Sequence, residues 1–300
     1  MPLRVSLAAL AILVVVPAPA RAQQVNPADP MRELSKQGET QQKEERLNTW
    51  EMPPTIVRAP REGLLREEDR IGEYDQPRWT AKRLFPTTRV YVVPQGKIEF
   101  EYWTRAMVPD SGKTEVEHQY ELEFGLPYRF QLDLYYVTSK TGEEGELDLS
   151  EQKYEVRYAL ADWGKLWMNP TLYLEYVERD AQADKIEYKL LLGDELGEGW
   201  HFGSNLVFEH ELDGAGENEY ELTAGLAHTI VDEKFSLGAE LKAALVDTHA
   251  DRGDYEKELE IGPSFRYMPL PQMHIDFAPL IGIGADSRAA DLFLVVGWEL

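Results

Sequence analysis

An all-β, antiparallel, up-and-down transmembrane β-barrel of about twelve strands is the fold that this 300-residue sequence predicts. Three observations predict it. From Gly96 to Leu300 apolar and polar residues alternate with a period of two. The alternating runs are about 10–13 residues long, close to what a tilted strand needs to cross a hydrocarbon layer. The connectors between them fall into two alternating chemistries, as the two ends of successive hairpins would. After the first 22 residues no run approaches about 18 consecutive apolar residues, so no spanning helix is expected. A closed barrel is then the remaining way to satisfy every backbone group inside a bilayer.

The chain opens with a positive start (Met1 to Arg4), a short apolar run (Val5 to Val16) and a small-x-small ending at Ala20-Arg21-Ala22. This is the pattern of a secretory signal peptide over residues 1–22. Removing it takes away Arg4 and Arg21 and no acid, so the formal charge goes from −23 to −25. Such acidity argues against nucleic acid as a partner and for solubility, cation attraction, or both. There is no Cys, so the exported chain has no disulfide framework. Residues 23–95 are rich in Gln, Glu, Arg and Pro and show no sustained period. Their composition favours a flexible periplasmic arm. The alternatives are a plug in the lumen or a docking segment for a periplasmic partner, with Trp50 and Trp79 as anchors.

The expected strands cover residues 97–107, 114–126, 129–139, 151–161, 170–179, 184–194, 200–211, 217–227, 234–246, 254–266, 272–283 and 290–300. In "EVEHQYELEFGLPYRFQLDLYY" the even positions from Val116 to Leu126 are mostly apolar, and Glu115, Glu117, Glu121 and Glu123 lie between them. The two faces stay distinct in most other strands, down to Leu292, Leu294, Val296 and Trp298 in the last one. Connectors such as "VPDSGK", "KTGEEGELDLS" and "DTHADRGD" are polar and acidic, whereas "LPY", "DWGKLWMN" and "MPLPQ" are compact, aromatic or Pro-bearing. Tyr128, Trp163, Trp167, Trp200, Tyr267 and Trp298 cluster at the compact-turn ends. Rings with an apolar body and a polar tip favour a membrane interface, so these six are expected to form a girdle on the turn side.

The export pattern, the even strand count and the final strand "ADLFLVVGWEL" together resemble Gram-negative outer-membrane β-barrel proteins. That resemblance covers about two-thirds of the chain. It implies outer-membrane localisation, contact with outer-membrane lipid, and insertion by the barrel-assembly machinery through the C-terminal strand. Members usually end in an aromatic residue, whereas here Trp298 precedes Leu300 by two positions on the same face. The hairpin "YELEFGLPYRFQLDL" is also similar to a barrel family linked to aromatic-compound degradation and transport.

The face opposite the apolar one supplies the lumen candidates. The acids are Glu99, Glu101, Glu117, Glu121, Glu123, Asp133 and Glu155, then Glu240, Glu256, Glu258 and Glu260. Arg157, Lys242 and Arg266 are the bases that accompany them as selectivity candidates. A low-dielectric wall of one sign focuses its field, so the lumen is expected to favour cations. The plain alternative is that these are the wet side chains of any barrel, paired across strands. Twelve strands should enclose only a small or partly occluded pore.

An enzyme is not expected. His201 and Ser204, the best local nucleophile–base pair, are three apart on a strand and point to opposite faces. No cofactor and no metal site is expected: His201 and His274, each alone on the lumen face, read as hydrogen-bonded fillers rather than ligands, and His118 and His210 fall on the outer face. The function expected is passage of a small cationic or neutral solute through an acidic lumen. A non-transporting barrel whose arm binds a periplasmic partner, or a soluble periplasmic sheet protein, are the alternatives.

Overall fold

The computed structural model describes residues 65–300. The expected signal peptide, the part of the arm before residue 65 and Trp50 lie outside the described residues. Two two-residue strands, β1 (Arg70–Ile71) and β2 (Gln76–Pro77), pair with each other near the start. Twelve longer strands follow. They are β3 (Ile98–Val108), β4 (Glu115–Gly125), β5 (Phe130–Thr141), β6 (Asp148–Ala159), β7 (Thr171–Arg179) and β8 (Lys185–Gly197). Then come β9 (Trp200–Glu211), β10 (Asn218–Val231), β11 (Phe235–Asp247), β12 (Glu256–Leu270), β13 (Met273–Gly282) and β14 (Ala290–Glu299). Each pairs antiparallel with its neighbours in sequence, and β14 returns to β3 with Leu294 opposite Thr104, closing the barrel. No edge of these twelve strands is left open, which is the condition for a sheet in lipid.

The outer face is apolar and unburied along the wall, with Leu122, Tyr136, Leu174, Leu206, Leu237 and Leu294 all exposed. A soluble sandwich would pack such a face against a second sheet, and among the described residues there is none. The lumen face carries the charge. Several strands run past the ends expected from alternation: β8 to Gly197, β10 to Val231 and β12 to Leu270. Register shifts at Glu195/Gly197, Thr229/Val231 and Tyr267/Leu270 explain this. A bulge breaks the two-residue period while pairing continues beyond it.

From Leu65 the chain runs into the lumen rather than standing free of the barrel. Its core is an aromatic and aliphatic cluster of Tyr74, Trp79, Leu84, Phe85, Val90 and Tyr91. Trp163, expected in the outer girdle, belongs to this cluster instead and is buried. Its ring meets those of Trp79 and Tyr91 edge-on at 5.8 and 5.3 Å. The turn between β6 and β7 therefore folds Trp163 inward, where the inner segment offers apolar surface that the interface does not. The other five girdle candidates, Tyr128, Trp167, Trp200, Tyr267 and Trp298, are exposed at the turn end.

A row of glycines makes the seat. Gly193, Gly203 and Gly225 lie opposite one another on the lumen faces of β8, β9 and β10. A Cβ on Gly225 would lie 2.5 Å from the Phe85 ring, and one on Gly203 would lie 2.9 Å from Val90. Only a bare backbone admits these side chains so close to the wall. Gly225→Val should therefore unseat the inner segment without unpairing the barrel. Limited trypsin digestion in detergent should cut the variant after Arg83 or Arg89 and spare the wild type, with everything from β3 onward resistant in both. Equal protection of the two proteins would show that the glycine row is not the seat.

Candidate functional site

The inner segment has little regular structure, so its backbone groups need partners from elsewhere. The lumen wall supplies them. Asn205 accepts from the Arg89 N–H (2.9 Å) and donates to the Arg89 carbonyl (2.6 Å). Gln131 accepts from the Val93 N–H at 2.6 Å. Glu240 accepts from both the N–H and the hydroxyl of Thr87, at 2.8 and 2.5 Å. Thr88 donates its hydroxyl to that of Thr223 (3.0 Å). At the turn end, the Asp232 carboxylate caps the N–H groups of Arg66 and Glu67. Irregular backbone at membrane depth is tolerated where protein encloses it, and these bonds are how that is achieved here.

The centre of the site is ionic. Glu101 on β3 and Glu121 and Glu123 on β4 are all buried and close together. Arg83 of the inner segment lies 2.8 Å from Glu101 and 3.4 Å from Glu121, and stacks over the Trp103 ring at 4.0 Å. Arg89 pairs with Glu121 and, at 2.9 Å, with Glu123. Burial lowers the Arg89 pKa, but Glu121, Glu123 and Glu101 outweigh it, holding the guanidinium well above the usual arginine range and fully charged. Beside this ring, Asp133 and Glu155 share Arg157, which is 3.0 Å from Asp133. Lys82 points to the turn side, where burial lowers its pKa against the attraction of Glu99 and Glu299.

Both lumen histidines are hydrogen-bonded. His274 Nδ1 meets Asp276 and its Nε2 meets Glu99 at 2.8 Å. Both ring nitrogens are thus engaged by carboxylates inside the barrel. Gly297, opposite His274 across the ladder, leaves room for the ring. His201 Nε2 bonds Glu67 at 2.6 Å and its ring stacks on Trp79 at 4.7 Å. Ser204 gives its hydroxyl to the Thr223 carbonyl on the opposite side of the strand from His201. On the outer face His118 bonds the Tyr102 hydroxyl at 2.8 Å, and His210 bonds Asn218 at 2.7 Å.

Of the lumen candidates, Glu99, Glu101, Glu121, Glu123, Asp133, Glu155, Arg157, Glu240, Glu260 and Arg266 are buried inside the barrel. Glu117, Lys242, Glu256 and Glu258 line a loop-end cavity of about 510 Å³. A second cavity, of about 820 Å³, lies at the turn end between Lys82, Pro94, Glu99 and the β12–β13 turn. Sequence reasoning missed Arg83, Phe85, Thr87 and Arg89. Their signal was an apolar run, "LFPTTRVYVV", that a solvated arm has no reason to carry.

Among the described residues, three groups place three acidic or histidine ligand atoms within 4.8 Å of one another: Glu99–Glu101–His274, Glu101–Glu121–Glu123 and Glu209–Glu217–Glu219. In the first, both histidine nitrogens are already engaged, one by Asp276 and one by Glu99. In the second, arginine fills the place of a cation. The third stands at the loop end.

No family model and no curated protein matches the chain. Solved structures do. An outer-membrane channel from Pseudomonas putida F1 superposes with a TM-score of 0.51 at 10% identity, over 70% of this chain and 98% of that one. The fold is that of an outer-membrane β-barrel. The NanC porin aligns over 68% of this chain and 100% of its own, with 12% identity and a TM-score of 0.49.

The ionic ring predicts a contrast between two arginines. Arg89→Met leaves buried carboxylates facing Arg83 alone and should weaken docking of the inner segment by about 3–5 kcal/mol. Arg288→Met, at the loop end and partly exposed, should cost under about 1 kcal/mol. Hydrogen exchange at the Val90–Val93 amides reads both. Equal protection in the two variants would remove the ring as the lock.

Proposed function

We propose that this protein is an outer-membrane channel for small cationic or neutral solutes, and that residues 65–97 are a plug that closes it. The observation that carries this is the pair Arg83 and Arg89, seated in the Glu101–Glu121–Glu123 ring. The acids that would select a permeating cation are the acids that hold the plug. Two separate cavities, one at each end, support the reading, because they are the halves of a path that the segment 79–93 interrupts. The likeness to a channel from Pseudomonas putida F1 supports it through fold alone.

Without the plug, the turn half of the lumen would keep Glu99, Glu101, Glu121, Glu123, Asp133, Glu155, Glu240 and Asp276 against Arg157, Arg266 and His274. A narrow conduit with that excess draws cations and repels anions. Export through the 1–22 signal and insertion through the C-terminal strand complete the proposal.

Planar-bilayer recording across a potassium chloride gradient tests it, using the full chain and a variant lacking residues 65–97. The full chain should give rare or small steps. The deletion should give larger, steady steps with a reversal potential favouring potassium. Equal conductance in both proteins would sink the plug, and an inserted deletion variant that carries no current would sink the channel.

A further inference from the structure

The wall of the barrel is not bonded evenly. Between β12 and β13 the ladder pairs Ile261 with Ile281 and Phe265 with Phe277, at one constant register. That register sets Pro263 directly opposite Pro279, and neither residue has an N–H to give. Ile283 donates to the Leu259 carbonyl at 2.7 Å, so the odd positions of β12 are those that exchange bonds with β13. The two bonds at Pro263 and Pro279 are therefore missing, and about 13 Å of the ladder has no bond across it. Proline belongs at the edges of sheets, and a closed barrel has none. A Cβ on Gly262 would lie 2.0 Å from the Pro279 carbonyl oxygen, so close packing is what shuts this stretch.

An apolar track leads to this seam from inside. Ala278 and Leu280, on the lumen face of β13, are buried and cluster with Phe293 of β14 and Trp103 of β3. Phe293 stands beside Ala278 in the ladder. Phe293 and Trp103 also line a chamber of about 200 Å³ that rests on Pro86 and Thr87 of the inner segment. The cations of that chamber are answered already: Arg105 by Asp291, Lys153 by Glu151, Lys189 by Glu187 and Lys242 by Glu221. What the chamber offers a solute toward the seam is therefore apolar surface. On the lipid side of the seam, Ile261, Phe277 and Ile281 are exposed.

We propose that the β12–β13 seam is a lateral port, through which a small uncharged, apolar solute passes between this chamber and the bilayer. Arg83 and Arg89 close the axial path below the chamber, whereas the port bypasses them. Hydrocarbon refuses a charged solute and takes up an apolar one. Parting two strands elsewhere in the wall breaks an unbroken run of ladder bonds in lipid, which is costly. Here the central two bonds are already absent. The port goes beyond the axial channel proposed above and does not need residues 65–97 to leave.

The chain has no Cys, so Ser264→Cys with Ala278→Cys puts its only two thiols face to face across the seam. The full chain is placed in vesicles with lipopolysaccharide in the outer leaflet and phospholipid in the inner one. The probe is N-phenyl-1-naphthylamine, an uncharged dye that fluoresces on reaching hydrocarbon. Wild type and the reduced variant should speed its arrival, and the oxidised variant should fall to the rate of protein-free vesicles. A disulfide between Leu206→Cys and Leu222→Cys, across the fully paired β9–β10 ladder, should change nothing. Pro263→Val with Pro279→Val restores both N–H groups and should slow the dye as the disulfide does, with slower hydrogen exchange at Phe265 and Phe277. Folding of each variant is checked by its protease-resistant barrel. Equal dye arrival in the oxidised and reduced protein, or arrival no faster than without protein, would overturn the port. Potassium conductance of the plug deletion without dye passage would end this proposal and leave the channel standing. Dye passage that the cross-link stops, without potassium conductance, would do the reverse.

Discussion

Carboxylates crowded on the inward face of a narrow barrel repel one another and lose hydration, so their charge needs an answer close at hand. For the Glu101–Glu121–Glu123 ring the answer comes from the inner segment. Arg83 and Arg89 enter on the inner segment and place two guanidinium groups among Glu101, Glu121 and Glu123. Arg157 does the same for Asp133 and Glu155 from the wall itself, and His274 for Glu99 and Asp276. The planar guanidinium suits this work, since it binds two carboxylates at once and is less costly to dehydrate than an ammonium.

Everything else about the inner segment is consistent with that central contact. Its apolar residues seat where the wall is stripped to glycine, and its backbone bonds go to Asn205, Gln131 and Glu240. Apolar fit and polar satisfaction are both local and both directional. Together they specify one docked arrangement, where a charge match alone would tolerate many. The lumen then divides by chemistry into an arginine-filled acid ring on the turn side and a chamber lined by both signs of charge on the loop side.

Much of the wall was legible in the sequence because a strand in a barrel has only two faces, and parity assigns each residue to one. Parity placed Glu101, Glu155 and Glu240 inside without any knowledge of their neighbours. It failed where the period itself failed, at the bulges that extend β8, β10 and β12. It was also silent about Trp163, which sits in a connector where parity has no meaning. Composition misled in a different way: a segment rich in Gln, Glu, Arg and Pro reads as solvated, yet ten of its residues form a run that prefers burial.

What the amino-acid sequence determined by itself was the barrel: the number of strands, their approximate ends, the apolar outer face and the acidic inner one. These follow from a two-residue period and from the length of chain needed to cross a bilayer, both of which are local. Tertiary structure decided which charges meet. Gly193, Gly203 and Gly225 become a seat only when three strands align, and Arg83 finds Glu121 across 38 positions of sequence. No local rule encodes such a meeting, because it depends on closing the sheet and on the depth to which the inner segment descends.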